Sequence, residues 1–247
     1  MFARVLTIAS LAICSIALTS CGDSQPNAQA PILLFDGTGT SPGDVAAVET
    51  ILKDNHLSYA TVSSSQLNAM TESLLRGHRL LIVPGGNFIK IGNSLTPGTT
   101  ANIRKAVESG LNYLGICAGG FFAGNSPFNG LNLTNGVRFG FYSAEDRGIR
   151  KAPVEIAGPG APTLEQYWED GPQFTGWGAV VARYPDGTPA VAEGTYGEGW
   201  VILAGVHPEA PAAWRRGMNF RTPVEADHAY AGKLIDAALN RITLPHD

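Results

Sequence analysis

The chemistry-bearing residues fall in a few short clusters, and Cys117 heads the first. It sits in Leu114-Gly115-Ile116-Cys117-Ala118-Gly119-Gly120, an apolar run that breaks into small residues at a thiol. Gly-x-Cys-x-Gly is the pattern of a nucleophile elbow, a sharp strand-to-helix turn that lifts a reactive side chain off the end of a buried strand. A thiol so placed faces a helix N-terminus and is expected to ionise easily. The competing reading is a small buried core cysteine. His207 and Glu209 stand two apart in His207-Pro208-Glu209, and in extended backbone such residues point to one side. A carboxylate can then orient an imidazole whose other nitrogen serves as base toward a thiol, the logic of a catalytic triad. Alone, the tripeptide would read as a surface turn. Pro84-Gly85-Gly86 would bring the amides of Gly85 and Gly86 near the thiol, and with that of Ala118 they could form an oxyanion hole.

These residues need a scaffold that gathers them. Four apolar runs read as buried strands, and each ends in a suggestive loop. Phe35 leads into Asp36-Gly37-Thr38-Gly39, Val83 into Pro84, Ile116 into Cys117, and Val206 into His207. Helical patterns lie between them. Ser41-Pro42-Gly43-Asp44 is a helix start with an N-cap, a proline in the first turn and an acid at the positive end. Thr99 to Ser109 is a second helix closed by Gly110, and Tyr230 to Ile242 a closing amphipathic one. Alternation of helices with strands apolar on both faces predicts an α/β fold with a mostly parallel sheet, covered on each side. In such a sheet the functional loops leave the carboxyl ends of the strands, so all four loops share one rim. The closing helix is open to two placements, on the sheet or in a homodimer contact. Residues 121–173 read as a β excursion over the site, with Trp168-Glu169-Asp170-Gly171-Pro172 either a lid or a surface turn.

Within these loops Asp36, Gly37, Gly119 and Phe121 are candidates for substrate binding, with helix capping the alternative for Asp36. Arg215 and Arg216 read as a solvated face. His56, His78, His228 and His246 lack partners at ligand spacing, so no metal site and no cofactor is expected.

The N-terminus is of another kind. Arg4 is followed by a nearly unbroken apolar stretch from Val5 to Leu18, then Leu18-Thr19-Ser20-Cys21. Residues 1–20 read as a secretory signal, and the ending resembles a bacterial lipobox, which would put a lipid on Cys21 and tether the protein to a membrane facing the periplasm; the alternatives are ordinary cleavage that releases a soluble protein and an uncleaved segment, short for a bilayer span. Residues 21–30 suit a flexible tether, leaving 31–247 as a single domain. Loss of Cys14 with the signal would leave Cys117 as the one free thiol of an exported protein, a liability unless it is buried or used. The 247 residues carry a formal charge of −4 and are 44% hydrophobic. That composition suits a folded core, and without a basic run it excludes nucleic acid as an expected partner.

Pro84-Gly85-Gly86, Gly115-Ile116-Cys117-Ala118-Gly119 and His207-Pro208-Glu209, in that order, resemble the class I glutamine amidotransferase-like superfamily. Within it, Asp36 to Ser41, Gly115 to Phe121, Asp170 to Phe174 and Tyr196-Gly197-Glu198-Gly199 look most like the domain at the N-terminus of eukaryotic biotin–protein ligases, over about residues 31–210. The resemblance implies a flavodoxin-like three-layer α/β/α sandwich and a Cys-His-Glu triad of Cys117, His207 and Glu209. Phe121 departs from the pattern, since true amidotransferases usually carry glutamine there. No synthetase or ligase catalytic domain is recognisable in these residues, so biotin transfer is not implied. Three functions follow as alternatives: a thiol hydrolase or amidase on a small-molecule or peptide substrate of the cell envelope, a non-catalytic binding module, and a thiol redox sensor.

Overall fold

The computed structural model describes residues 29–160 and 162–247. The signal segment, Cys21 and most of the tether lie outside the described residues. The first half of the chain alternates β1 (Ile32–Phe35), α1 (Pro42–Asp54), β2 (Tyr59–Val62), α2 (Ser64–Ala69), α3 (Glu72–Leu75) and β3 (Leu80–Val83). Then come α4 (Phe88–Ser94), α5 (Pro97–Glu108), β4 (Asn112–Ile116) and the short α6 (Ala118–Ala123). The excursion follows as β5 (Gly140–Phe141), β6 (Lys151–Ile156), β7 (Leu164–Glu169) and β8 (Pro172–Gln173). β9 (Ala179–Arg183), β10 (Pro189–Tyr196), β11 (Gly199–Ala204) and α7 (Val224–Asn240) complete the chain.

Seven strands form the central sheet in the order β2-β1-β3-β4-β11-β10-β9. The pairs from β2 to β11 are parallel, and β10 and β9 add antiparallel strands at one edge. The fold is α/β with a mostly parallel sheet. Ile32, Leu34, Leu80 and Ile82 point to one core with residues of α1 and α7, whereas Leu33, Phe35, Leu81 and Val83 point to another with residues of α3, α5 and α6. This alternation is the pleat of a sheet buried on both faces, and it makes the three layers. α7 packs on the sheet against β4 and β11 and beside α1, which decides its placement. Its regular turns stop at Asn240, and Ile242 lies beyond them, exposed. Among the described residues no helix is long and apolar enough to cross a membrane.

Register carries the functional consequence. Leu34 lies beside Ile82, Val83 beside Gly115, and Ile116 beside Ala204, so the four strands end level and release their loops at one rim. The excursion is built of two antiparallel pairs, β5 with β8 and β6 with β7. Trp168 is fully buried and its Nε1 donates to the carbonyl of Gly171 at 3.3 Å. The Trp168–Pro172 segment is therefore a packed wall, neither a free lid nor a surface turn. Arg215 also departs from expectation: it is buried, paired with Asp227 of α7 at 3.2 Å and set against the Phe220 ring.

Candidate active site

Cys117 ends β4 with φ 48° and ψ −105°, a backbone conformation that L residues rarely adopt outside strained functional turns. The elbow is tight enough that a Cβ on Gly115 would sit 2.6 Å from the Gly119 carbonyl carbon, and one on Gly119 would collide with the carbonyl oxygen of Val83. Gly119 thus packs under the elbow against β3 and does not line the cavity, so its candidacy for substrate contact falls. The backbone N of Cys117 donates to Ala204 on β11 at 2.7 Å. The Sγ donates to the carbonyl of Glu169 at 3.5 Å, which ties the end of β7 to the thiol. Cys117 is the free cysteine of the described residues, and only 5% of it is exposed, on the wall of a cavity of about 390 Å³.

His207 and Glu209 leave the end of β11 as expected. The His207 Nδ1 lies 2.9 Å from Glu209 Oε1, and both residues are buried. A second carboxylate, Asp44 Oδ1, lies 3.1 Å from the same nitrogen. Two acids on Nδ1 leave Nε2 free of them, and His207 and Cys117 line one cavity. Behind the ring, Tyr167 on β7 accepts the backbone N–H of His207 at 2.8 Å, and the Tyr167 and Trp214 rings lie 5.8 and 5.9 Å from the imidazole. The base is thus held by two carboxylates, one strand and two aromatic rings.

Asp44 is the residue that sequence reasoning missed. As an acid in the first turn of α1 it had an ordinary explanation at the positive end of a helix dipole. The missing signal is three-dimensional. Ser41 makes no side-chain cap bond; instead its backbone N donates to the Gly85 carbonyl at 3.1 Å, docking the start of α1 on the loop after β3. Gly85 explains the fit, since a Cβ there would collide with Asp44 Oδ1 and sit 2.6 Å from His207 Cε1. Gly85 therefore makes room for the base; it does not line the cavity, which corrects its assignment to the oxyanion hole. Gly86 and Ala118 do line it. Among the described residues neither of their amides donates to another group, so both remain available to an oxyanion.

The electrostatics follow from burial. Burial works against a charged His207, yet the nearby Cys117, Glu209 and Asp44 outweigh it and hold the imidazole well above its usual range. Asp44 is also disfavoured by burial, but its contacts with His207 and Ser41 keep its carboxyl below the usual value. Glu209 goes the other way, because its burial outweighs the help from His207 and the Asp44 charge opposes it. Asp44, His207 and Glu209 also bring three ligand atoms within 4.8 Å of one another, a metal-capable set that the sequence spacing did not disclose. Glu209 is hydrogen-bonded to Nδ1, and Asp44 faces the same nitrogen as an ion-pair partner, which suits an oriented base.

The remaining walls divide by character. Phe88, Phe121 and Phe141 form one side, with Phe88 stacked on Phe121 at 4.7 Å and Phe141 edge-on to it at 4.8 Å. Phe121 thus lines the cavity. Glu169 and Asp170 form the opposite rim. Asp36 and Gly37 are not brought to the cavity. Asp36 is exposed beside the end of β2, to which its backbone N donates. A Cβ on Gly37 would collide with Phe35 and Ser64, so this loop is packed against α2.

Residues 30–130 match the family model described as "Biotin-protein ligase, N terminal". A biotin–protein ligase of Schizosaccharomyces pombe (strain 972 / ATCC 24843) is 28% identical over 167 residues, covering 54% of this chain and 26% of that protein. The chain thus spans about a quarter of that relative's length. Among solved structures, a crystal structure of glutamine amidotransferase superposes with a TM-score of 0.57 at 21% identity, over 72% of this chain and 90% of the other. A cytoplasmic protein from Salmonella typhimurium LT2 gives 0.51 at 14% identity, over 86% and 99%. At such identities the structural likeness is one of fold.

Proposed function

We propose that this chain, a biotin-protein ligase N-terminal-like domain with a glutamine amidotransferase-like fold, is a cysteine-nucleophile hydrolase or amidase acting on an amide or peptide of the cell envelope. One observation carries the reading: the Nδ1 of His207 is held 2.9 and 3.1 Å from two buried carboxylates, beside a thiol raised on a strained elbow. Export and a lipid on Cys21 belong to the same proposal and rest on the sequence.

The arrangement supports a balanced two-step hydrolysis. Cys117 Sγ attacks the carbonyl carbon while His207 Nε2 takes the thiol proton, and the imidazolium so formed is stabilised by Asp44 and Glu209. The oxyanion accepts from the amides of Gly86 and Ala118, which are fixed before the charge develops. Collapse breaks the C–N bond, His207 returns its proton to the departing amine, and a thioester remains. Water, deprotonated by Nε2, then attacks the thioester to release the acid and restore the thiol.

The test is alkylation of the purified protein by iodoacetamide, read by intact mass. The expected result is fast, single-site labelling of Cys117 near pH 6, slowed by His207→Ala. A thiol that reacts only above about pH 8.5, as a free cysteine does, overturns the reading. Ligand-dependent thermal stabilisation that survives Cys117→Ala, with no covalent adduct, would identify a binding module instead.

A further inference from the structure

We infer that the substrate is an extended, peptide-like amide carrying an apolar or aromatic group over the three phenylalanines and a protonated amine facing Glu169 and Asp170. The inference rests on the hydrolase reading of this site and narrows it. Two hollows meet at Phe88, Phe121 and Phe141: the thiol cavity of about 390 Å³, and a second of about 360 Å³ that also reaches Ser126 and Arg138. Each alone falls in the range of roughly 300–1,000 Å³ typical of small-ligand sites, so the pair suits a chain longer than a single amino-acid amide. The crest between them is apolar. Phe141 is 43% exposed, one of the few large hydrophobic side chains so placed among the described residues. An apolar substrate group laid there removes that ring face from water.

Charge sets the direction. Of the acids lining the thiol cavity, Asp44 is committed to His207. Glu169 is exposed, with one oxygen accepting from the Tyr167 hydroxyl. Asp170 stands beside it, 3.5 Å from Arg150, which is shared with Glu145. No lysine or arginine is among the residues lining that cavity. At the rim formed by Glu169 and Asp170 a carboxylate therefore meets like charge and an ammonium meets attraction, whereas the imidazole of His207 stands at the thiol. Arg138, exposed at the far hollow, is where a substrate could carry an anion.

Three chloroacetamides sharing one phenethyl group and bearing an ammonium, a neutral methyl ester or a carboxylate test the inference through their rates of Cys117 alkylation. The ammonium probe should react at least tenfold faster than the carboxylate probe, with the neutral one between. That ratio should shrink toward one as salt rises from 0.05 to 0.5 M, which needs no variant. Glu169→Gln with Asp170→Asn should also abolish the preference, whereas Glu225→Gln, which removes an exposed charge on α7, should not. Phe141→Ala should slow the ammonium probe several-fold. Equal rates for all three probes, or a faster carboxylate probe, would overturn the substrate class while leaving the hydrolase reading intact. A thiol inert to iodoacetamide at pH 6 would instead remove the hydrolase reading beneath it.

Discussion

Asp44 is the residue on which the chemistry turns most sharply. The ion pair of thiolate and imidazolium forms by moving a proton from Sγ to His207, and this becomes easier as the imidazole becomes more basic. Asp44 is one of the groups that raise it. Asp44→Asn should therefore move the onset of iodoacetamide labelling to higher pH and slow labelling at pH 6, by about tenfold for each pKa unit lost. Gly85→Ala should reach the same end by steric means, since the new methyl group displaces Asp44 and His207. The expected result is labelling at pH 6 reduced to the rate of His207→Ala. The elbow makes a separate prediction. At φ 48° and ψ −105° Cys117 holds a conformation that glycine adopts freely. Cys117→Gly should thus be more stable than Cys117→Ala by about 1–3 kcal/mol in denaturant melts, the usual range for one strained residue.

At the scale of elements, β4 and β11 determine whether a site exists. Leu114 is fully buried in the middle of β4, and Leu114→Ala should cost about 2–5 kcal/mol in chemical denaturation. The core strands were legible in the sequence because each is a short, mostly apolar run that breaks into a loop rich in small or polar residues. Cys117, His207 and Glu209 were legible for a related reason: their chemistry sits at the ends of those runs. Asp44 was not, because its local role at a helix start is complete in itself and nothing in the sequence states that α1 docks on residue 85. The acidic rim was only half visible. Glu169 and Asp170 reach the thiol through the pairing of β6 with β7 and the bridge from Tyr167 to His207, and such long-range pairings leave no periodic trace.

Taken as a whole, the molecule holds buried opposite charges whose balance depends on pH. The folded His207 has a raised pKa, so it contributes stability that is fully present below the ordinary histidine value of about 6.5. That contribution is lost as pH rises through the folded value. The melting temperatures of the protein and of His207→Gln should therefore converge as pH rises above about 6.5, and a gap that widens with pH would contradict the assignment. The pairing of β11 with β4 has its own consequence. The nucleophile lies ninety residues before its base in the chain, and the two meet because β11 lies between β4 and the antiparallel edge. A chain in which those two strands are unpaired carries the sulfur without its imidazole. Activation of the thiol is thus a property of the assembled sheet and of no local segment of it.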